Sequence, residues 1–191
     1  YVFGVYYFRE RYSIDSSVNL GADYCPLIRL AAPARLAACL AGSPANAAAN
    51  SFSQVTKSYA SYLQPTITIT PNWDVTAGVR WTRDEKTGSL VSVVNNGAAG
   101  LLAAPDNTAL ATASSKSSYR INTAFRPMPG VMLFATYSTG FKSGGFDTGT
   151  GATLGAARVF QPETTRNLEI GFKSQFANRA VTVNATWFKR S

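Results

Sequence analysis

An all-β fold is predicted for this chain, and more narrowly a transmembrane antiparallel β-barrel fragment of about seven meander strands. Three observations predict it. The first is the stretch 73–86. Its odd positions read Trp73, Val75, Ala77, Val79 and Trp81; its even positions read Asp74, Thr76, Gly78, Arg80, Thr82, Asp84 and Lys86. Successive side chains of a strand point to opposite faces, so a period of two makes one apolar and one polar face. Strands of soluble sheets run to about 5–6 residues, and this alternation lasts for more than ten. Trp73 and Trp81 are eight residues apart. At about 3.3 Å per residue and a tilt of about 40°, they mark off about 20 Å, close to the apolar band of an outer-membrane barrel with an aromatic at each rim. The second observation is the rhythm of connections along the chain. The third is composition: 46% hydrophobic residues but a mean hydropathy of −0.03, as expected when polar lumen residues offset lipid-facing ones.

Taken in order, the first strand is predicted over 1–12. Both of its faces are rich in aromatics. Tyr1, Phe3, Val5 and Tyr7 are assigned outward, because that turns Gly4 inward like Gly78 and Gly171 on better-defined strands. A long connection follows at 16–52, within which 28–40 can form only short helix because Pro33 interrupts it. The second strand, 53–69, shows Tyr59, Leu63, Ile67 and Ile69 on one face and Ser58, Tyr62, Gln64, Thr66 and Thr68 on the other. Its Pro65 requires either a bulge or a position where the missing N–H is not needed. Thr70-Pro71-Asn72 makes a tight turn into the strand at 73–86, and 87–116 is a second long connection. Strands are then expected at 117–126 and 131–143, joined by Pro127-Met128-Pro129-Gly130; Met132 and Phe134 break the alternation of the later one. A Gly-rich third connection covers 144–162, and strands at 164–176 and 180–190 meet at Ala177-Asn178-Arg179. Connections therefore alternate long and short, which puts every long loop at one end, as in outer-membrane barrels with short periplasmic turns and long outer loops. Greek-key sandwiches do not segregate loops in this way.

Charge and residue types exclude several functions. The net charge of +8 is carried by scattered basic residues without a zinc-finger, RNP-type or helix-turn-helix pattern, so no nucleic-acid partner is expected. The chain has no His, which removes the usual general base and the commonest metal ligand. No nucleophile–base pair suggests an enzyme, and neither a metal cluster nor a cofactor is expected. No run approaches the ~20 apolar residues of a transmembrane helix. Cys25 and Cys39 sit in one connection. In an oxidising compartment they can pair, closing a loop worth about 3 kcal/mol in the chain-entropy model; the alternative is two free thiols.

Three segments carry a family resemblance. They are Lys57-Ser-Tyr-Ala-Ser-Tyr62 with Val75-Thr-Ala-Gly-Val-Arg-Trp-Thr-Arg-Asp-Glu-Lys86, then Phe134-Ala-Thr-Tyr-Ser-Thr-Gly-Phe-Lys-Ser-Gly-Gly-Phe146, then Phe160-Gln-Pro-Glu-Thr-Thr-Arg-Asn-Leu-Glu-Ile-Gly-Phe-Lys173. In this order they resemble the barrel of TonB-dependent outer-membrane receptors. The resemblance implies about seven strands of a 22-stranded barrel, a partial barrel domain over 1–191 with the plug domain and remaining strands absent. Seven strands alone leave two open edges, so the isolated fragment is expected to aggregate. The implied location is the cell outer membrane of a Gram-negative bacterium. The implied function is TonB-energised uptake of a scarce, bulky nutrient, foremost a ferric siderophore. Implied partners are outer-membrane lipid and lipopolysaccharide, the chain's own plug domain, the TonB system through the missing N-terminal part, and an iron chelate or other nutrient. The alternatives are a passive porin-type or smaller barrel, and a soluble carbohydrate-binding β-protein.

Candidate residues fall into three groups. Arg80, Arg120, Arg126, Lys142, Glu169 and Lys173 are placed on lumen faces, where they contact plug or substrate or else form a solvated, salt-bridged wall. Arg29 and Arg35, in the connection with the cysteines, can grip an anionic ligand or simply keep the loop soluble. The segment Phe141–Phe146 reads as a gate beside the substrate or as glycines easing a strand into its loop. Finally, Arg9, Lys57, Arg83, Arg166 and Lys189 are expected to form an outward belt above an aromatic girdle, meeting lipid headgroups. The expected hairpin register sets Lys57 opposite Arg83 and Tyr59 opposite Trp81, each pair equidistant from Thr70.

Overall fold

A computed structural model describes residues 1–149 and 154–191; residues 150–153 of the third connection lie outside it. Strands β1 (Val2–Val18), β2 (Ala48–Gln64), β3 (Thr66–Thr70), β4 (Trp73–Val94), β5 (Asp106–Met128), β6 (Val131–Lys142), β9 (Glu163–Phe176) and β10 (Val181–Arg190) form one antiparallel sheet. Its path is a meander, β1-β2-β4-β5-β6-β9-β10, with β3 continuing β2 along β4. The short strands β7 (Gly145–Phe146) and β8 (Val159–Phe160) pair with each other in the third connection. Helices α1 (Tyr24–Ala31) and α2 (Leu36–Ala41) flank a 3-10 turn at Pro33–Arg35, so Pro33 divides the helical stretch. Among the described residues no helix is long and apolar enough to cross a membrane, which leaves strands untested.

The faces follow the alternation. On β4, Asp74, Thr76, Gly78, Arg80 and Thr82 are half-buried while Trp73, Ala77, Val79 and Trp81 are exposed. Side chains on the concave side of a curved sheet converge and shield one another, so the polar face is the inner one. Tyr6 on β1 lies under the Arg80 guanidinium and so faces inward, which leaves Phe3, Val5 and Tyr7 outward. Met132 and Phe134 also face inward. Phe134 stands directly across from Gly171, where an added Cβ would come within 2.7 Å of its ring. Tyr62 covers Gly4 in the same way, at 2.5 Å. Inward glycines thus make room for a neighbouring ring, which accounts for the break at Phe134; Met132 stands across from Lys173.

Several expectations are corrected. Strands β4 and β5 run well beyond the predicted limits of 86 and 117, leaving only 95–105 between them, and β1 and β2 shorten the first connection to 19–47. The extra arms are rich in Ser, Thr, Ala and Val, which suit strands but alternate weakly. Pro65 is not at a bulge. The β2–β4 rung Leu63–Val79 and the β3–β4 rung Thr66–Thr76 share one register, and the Ala77 N–H donates to the Pro65 carbonyl, so only the reciprocal bond is missing. The irregularity lies instead between Thr68 and Thr70. The turn residues are Pro71 and Asn72, so the hairpin axis lies beyond Thr70. Lys57 therefore pairs with Glu85 rather than Arg83, and Tyr59 pairs with Arg83 rather than Trp81. A shift by an even number of positions leaves every side chain on its expected face.

At the short-turn end, Met128 pairs with Val131 around Pro129-Gly130, with Gly130 at φ +79°. Pro then Gly at the two central positions satisfies a type II turn. The β9–β10 turn holds Ala177, Asn178 and Arg179 at φ 54°, 55° and 69°.

Candidate functional site

The inner surface divides into three levels. At the short-turn end, Arg126 donates to Asp74 at 2.6 Å, and Lys173 lies 5.8 Å from the centre of the Phe134 ring. Both line a hollow of about 620 Å³ with Asn72, Gln175 and Asn184. Midway, Arg80 and Arg120 share a hollow of about 290 Å³ with Tyr62, Gln64, Ser118 and Ser138. Gly78 lies between them; a Cβ there would be 3.8 Å from Arg120 Cβ and 3.4 Å from Gln64 Oε1. Arg80 Nε donates to Thr82, and Glu169 accepts from Asn167 at 2.7 Å. Lys142 makes a long 3.9 Å contact with Glu163, both well exposed. Of the six lumen candidates, then, the fold brings Arg126 and Lys173 into one hollow and Arg80 and Arg120 into another. Arg126 and Lys142 are held by carboxylates of the wall.

Above this lies a hollow of about 430 Å³ bounded by Tyr6, Phe8, Glu10, Tyr12, Asp84 and Lys86 among others. Asp84 Oδ1 is buried there without a hydrogen-bond partner, a costly arrangement unless another group completes it. Lys86 reaches up to the Gly144 carbonyl at 2.8 Å. None of these six residues was singled out in the sequence. The available signal was the aromatic richness of both faces of 1–12.

The hollow is roofed by the third connection. Phe146 packs inward on Phe52, Leu90 and Leu110, with Val159 beside it, and its ring stands edge-on to Phe52 at 6.4 Å. Gly144 and Gly145 lie against Phe160, where added Cβ atoms would come within 2.5 Å of its carbonyl oxygen and 2.7 Å of its ring. The Phe141–Phe146 segment therefore leads into a docked β7–β8 hairpin. Arg158, 2% exposed, holds that hairpin down: Nε donates to Asp106 Oδ2 at 2.7 Å, and Nη1 donates to the Asp147 and Gly149 carbonyls at 2.9 Å. Hydrogen bonds from Thr108 and then Arg158 to Asp106, assisted by the Gly155 N–H, outweigh burial and bring its carboxyl from 3.8 down to about 2.

The first two connections form a separate cap. Cys25 and Cys39 are joined by a disulfide, with Cα atoms 5.7 Å apart. Cys39 is buried with Leu20, Ile28, Ala47, Ala98, Ala99 and Ala103. Asn96, 1% exposed, ties the two connections together by donating to the Cys39 and Ser43 carbonyls and accepting from the Ala98 N–H. Arg29 and Arg35 are exposed on this cap, away from the hollows; Arg35 lies beside Gly100. The five outer cations all sit toward the long-connection end. Arg9 faces Lys57 across β1 and β2, Arg83 binds Glu85 at 2.8 Å, Arg166 pairs across from Thr139, and Lys189 from Leu168.

A polar-lined, lipid-backed meander capped at one end defines an outer-membrane barrel wall. The comparisons name its kind. A family model described as TonB dependent receptor-like, beta-barrel, matches residues 3–191, and the chain belongs to that family of outer-membrane receptors, which are not enzymes. It is 25% identical over 142 residues to the probable TonB-dependent siderophore receptor PiuA of Acinetobacter baumannii, covering 72% of this chain and 18% of that protein. Its fold matches the ferric yersiniabactin uptake receptor FyuA of Yersinia pestis with a TM-score of 0.75 and 17% identity, over 98% of this chain and 25% of that one. The chain thus spans a quarter or less of the length of these two relatives.

Proposed function

We propose that this chain is wall and outer mouth of a receptor that takes up a scarce, bulky nutrient by TonB-energised transport, with a ferric siderophore as cargo. The observation that carries the reading is the family match along 3–191, joined to an inner face that is largely polar in the spanning segment and roofed at its outer end. The likeness to PiuA, a probable siderophore receptor, supports the siderophore class. Chelators of iron are commonly anionic, and Arg80 and Arg120 supply cations in one inward hollow. Tyr6, Phe8 and Tyr12 add aromatic surface nearer the mouth. The plug domain completes the lumen, and contact with TonB belongs to the part of the receptor that carries the plug.

The test is uptake of radioactive iron, supplied as a panel of ferric chelates, by cells whose only such receptor is the full-length protein. Accumulation of one chelate that requires both the receptor and TonB is expected, and Arg80→Gln with Arg120→Gln should weaken it. Uptake that persists without TonB would identify a passive pore. Uptake of a vitamin or oligosaccharide instead would reassign the cargo.

A further inference from the structure

The outer face carries two parallel rows. Counted along the ladder in β4 positions, Tyr7 and Tyr59 lie on the rung of Arg83, Tyr119 on that of Val79, Tyr137 on that of Ala77, and Trp187 on that of Val75, with Trp81 on β4 itself. In the same measure Arg9 and Lys57 lie on the rung of Glu85, Arg166 one position above the rung of Gly78, and Lys189 on the rung of Ala77. The cation row thus descends eight positions, from Glu85 to Ala77, over the six steps from β1 to β10. The aromatic row descends eight as well, from Arg83 to Val75. At about 3.3 Å per residue and about 4.8 Å per strand, that slope is about 42°. Barrel strands tilt by about 35–45°, and a line inclined to the ladder by the tilt angle is level in the membrane. Each row is therefore a level ring, with the cations one outward position above the aromatics.

The upper ring is electrostatically odd. Arg9 and Lys57 are direct cross-strand neighbours, a like-charge pairing that destabilises a sheet. Arg11 stands one outward position further up. Glu85 engages Arg83, and among the described residues no carboxylate lies within ion-pair distance of Lys57 or Arg166. Below Arg166 the outer face is grooved, with about 700 Å³ bounded by Leu63, Val79, Ile121 and Tyr137. A row of cations over aromatics, with an apolar groove beneath, suits a phosphorylated head on acyl chains.

We propose that this ring binds the phosphate groups of lipopolysaccharide in the outer leaflet, with Arg9, Lys57 and Arg83 gripping at one end and Arg166 seating a phosphate above an acyl chain in the groove. An anion between Arg9 and Lys57 turns their repulsion into shared attraction. The long-connection end faces outward in such barrels, which selects the outer-leaflet glycolipid over inner-leaflet phospholipid.

The experiment uses the full-length receptor. After mild detergent extraction, lipopolysaccharide retained per receptor is measured by mass spectrometry. Lys57→Glu with Arg83→Glu should lower it by at least about tenfold, with the nutrient affinity unchanged, and Lys57→Arg with Arg83→Lys should retain it. Equal retention by the double reversal, or equal loss in the charge-keeping variant, overturns the proposal. A second measurement needs no variant: the parent receptor in nanodiscs should hold bisphosphorylated lipid A at least about tenfold more tightly than dephosphorylated lipid A. Binding that ignores the phosphates, or that phosphatidylglycerol or inorganic phosphate matches, also overturns it.

Discussion

The spanning wall and the arms above it are made by the same strands and obey opposite rules. In the wall, large apolar side chains stand outward and exposed; Trp81 is 42% exposed, Ile121 55% and Ile170 51%. The inward side is largely polar. Above Lys86 the two faces largely exchange characters, although Val91 and Val93 stay outward. Phe52, Leu90 and Leu110 turn inward and are at most 3% exposed, while Ser53 and Ser89 meet outward at 3.0 Å. Hydrophobic residues are thus placed by what surrounds each level. Lipid receives them from outside in the wall, and the docked third connection receives them from inside above it. The upper part has a conventional core; the wall has none, and the bilayer stands in for it.

Three perturbations would break or sharpen that contrast. Phe52→Ala removes the central ring of the upper core and should cost about 3–5 kcal/mol. Hydrogen exchange on the full receptor should show the loss in the arms and the β7–β8 hairpin, with amides of 74–82 unaffected; equal loosening of both levels would make them one cooperative unit. Ala77→Arg places a charge on the outward face midway between the Trp residues and should cost about 2–4 kcal/mol in refolding into vesicles. Thr76→Arg, its inward neighbour, should be near neutral, and similar costs for the two would invalidate the face assignment. The smallest effect is local and acidic. The Asp106 carboxyl lies at about 2 in the fold against 3.8 otherwise. The hairpin anchor is therefore complete above pH ~4, weakens below that value, and is lost as pH falls through about 2. An acid protease should cut within 143–162 faster as pH drops from 4 to 2. Asp106→Asn should remove that dependence by making cleavage fast throughout.

Much of the wall was legible in the sequence, because a period of two with Trp at both ends is imposed by two different solvents. The turns at Pro71-Asn72 and Pro129-Gly130 were legible from residues that favour those conformations, and the turn at 177–179 from Asn178 alone, since Ala177 and Arg179 take positive φ against their preference. The arms were not. Along 87–94 and 106–116, small polar and β-branched residues occupy both faces, and the outward-to-inward exchange of apolar positions looks like fading alternation. Leu90 and Leu110 gain meaning only when Phe146, distant in sequence, is folded onto them. Arg158 and Asp106 carried no local signal, being brought together across 52 positions. The hairpin register erred because Pro71 rather than Thr70 lies next to the axis, a difference that alternation cannot detect. Lumen residues were identifiable as inward but not as neighbours, since proximity across strands depends on register.

The exchange of faces near Arg83–Lys86 also gives the receptor a waterline. A wall without a core has no packing to say how deep it should ride, and sliding a strand by two positions would preserve every inward and outward assignment. Such a slide would nevertheless drag Arg83 and Lys57 beneath the surface or lift Trp81 out of it. Depth is therefore written in the point where the pattern reverses. It follows that pairs of residues inserted above that point lengthen an arm without disturbing the wall, whereas a pair inserted below it changes how high the whole mouth floats.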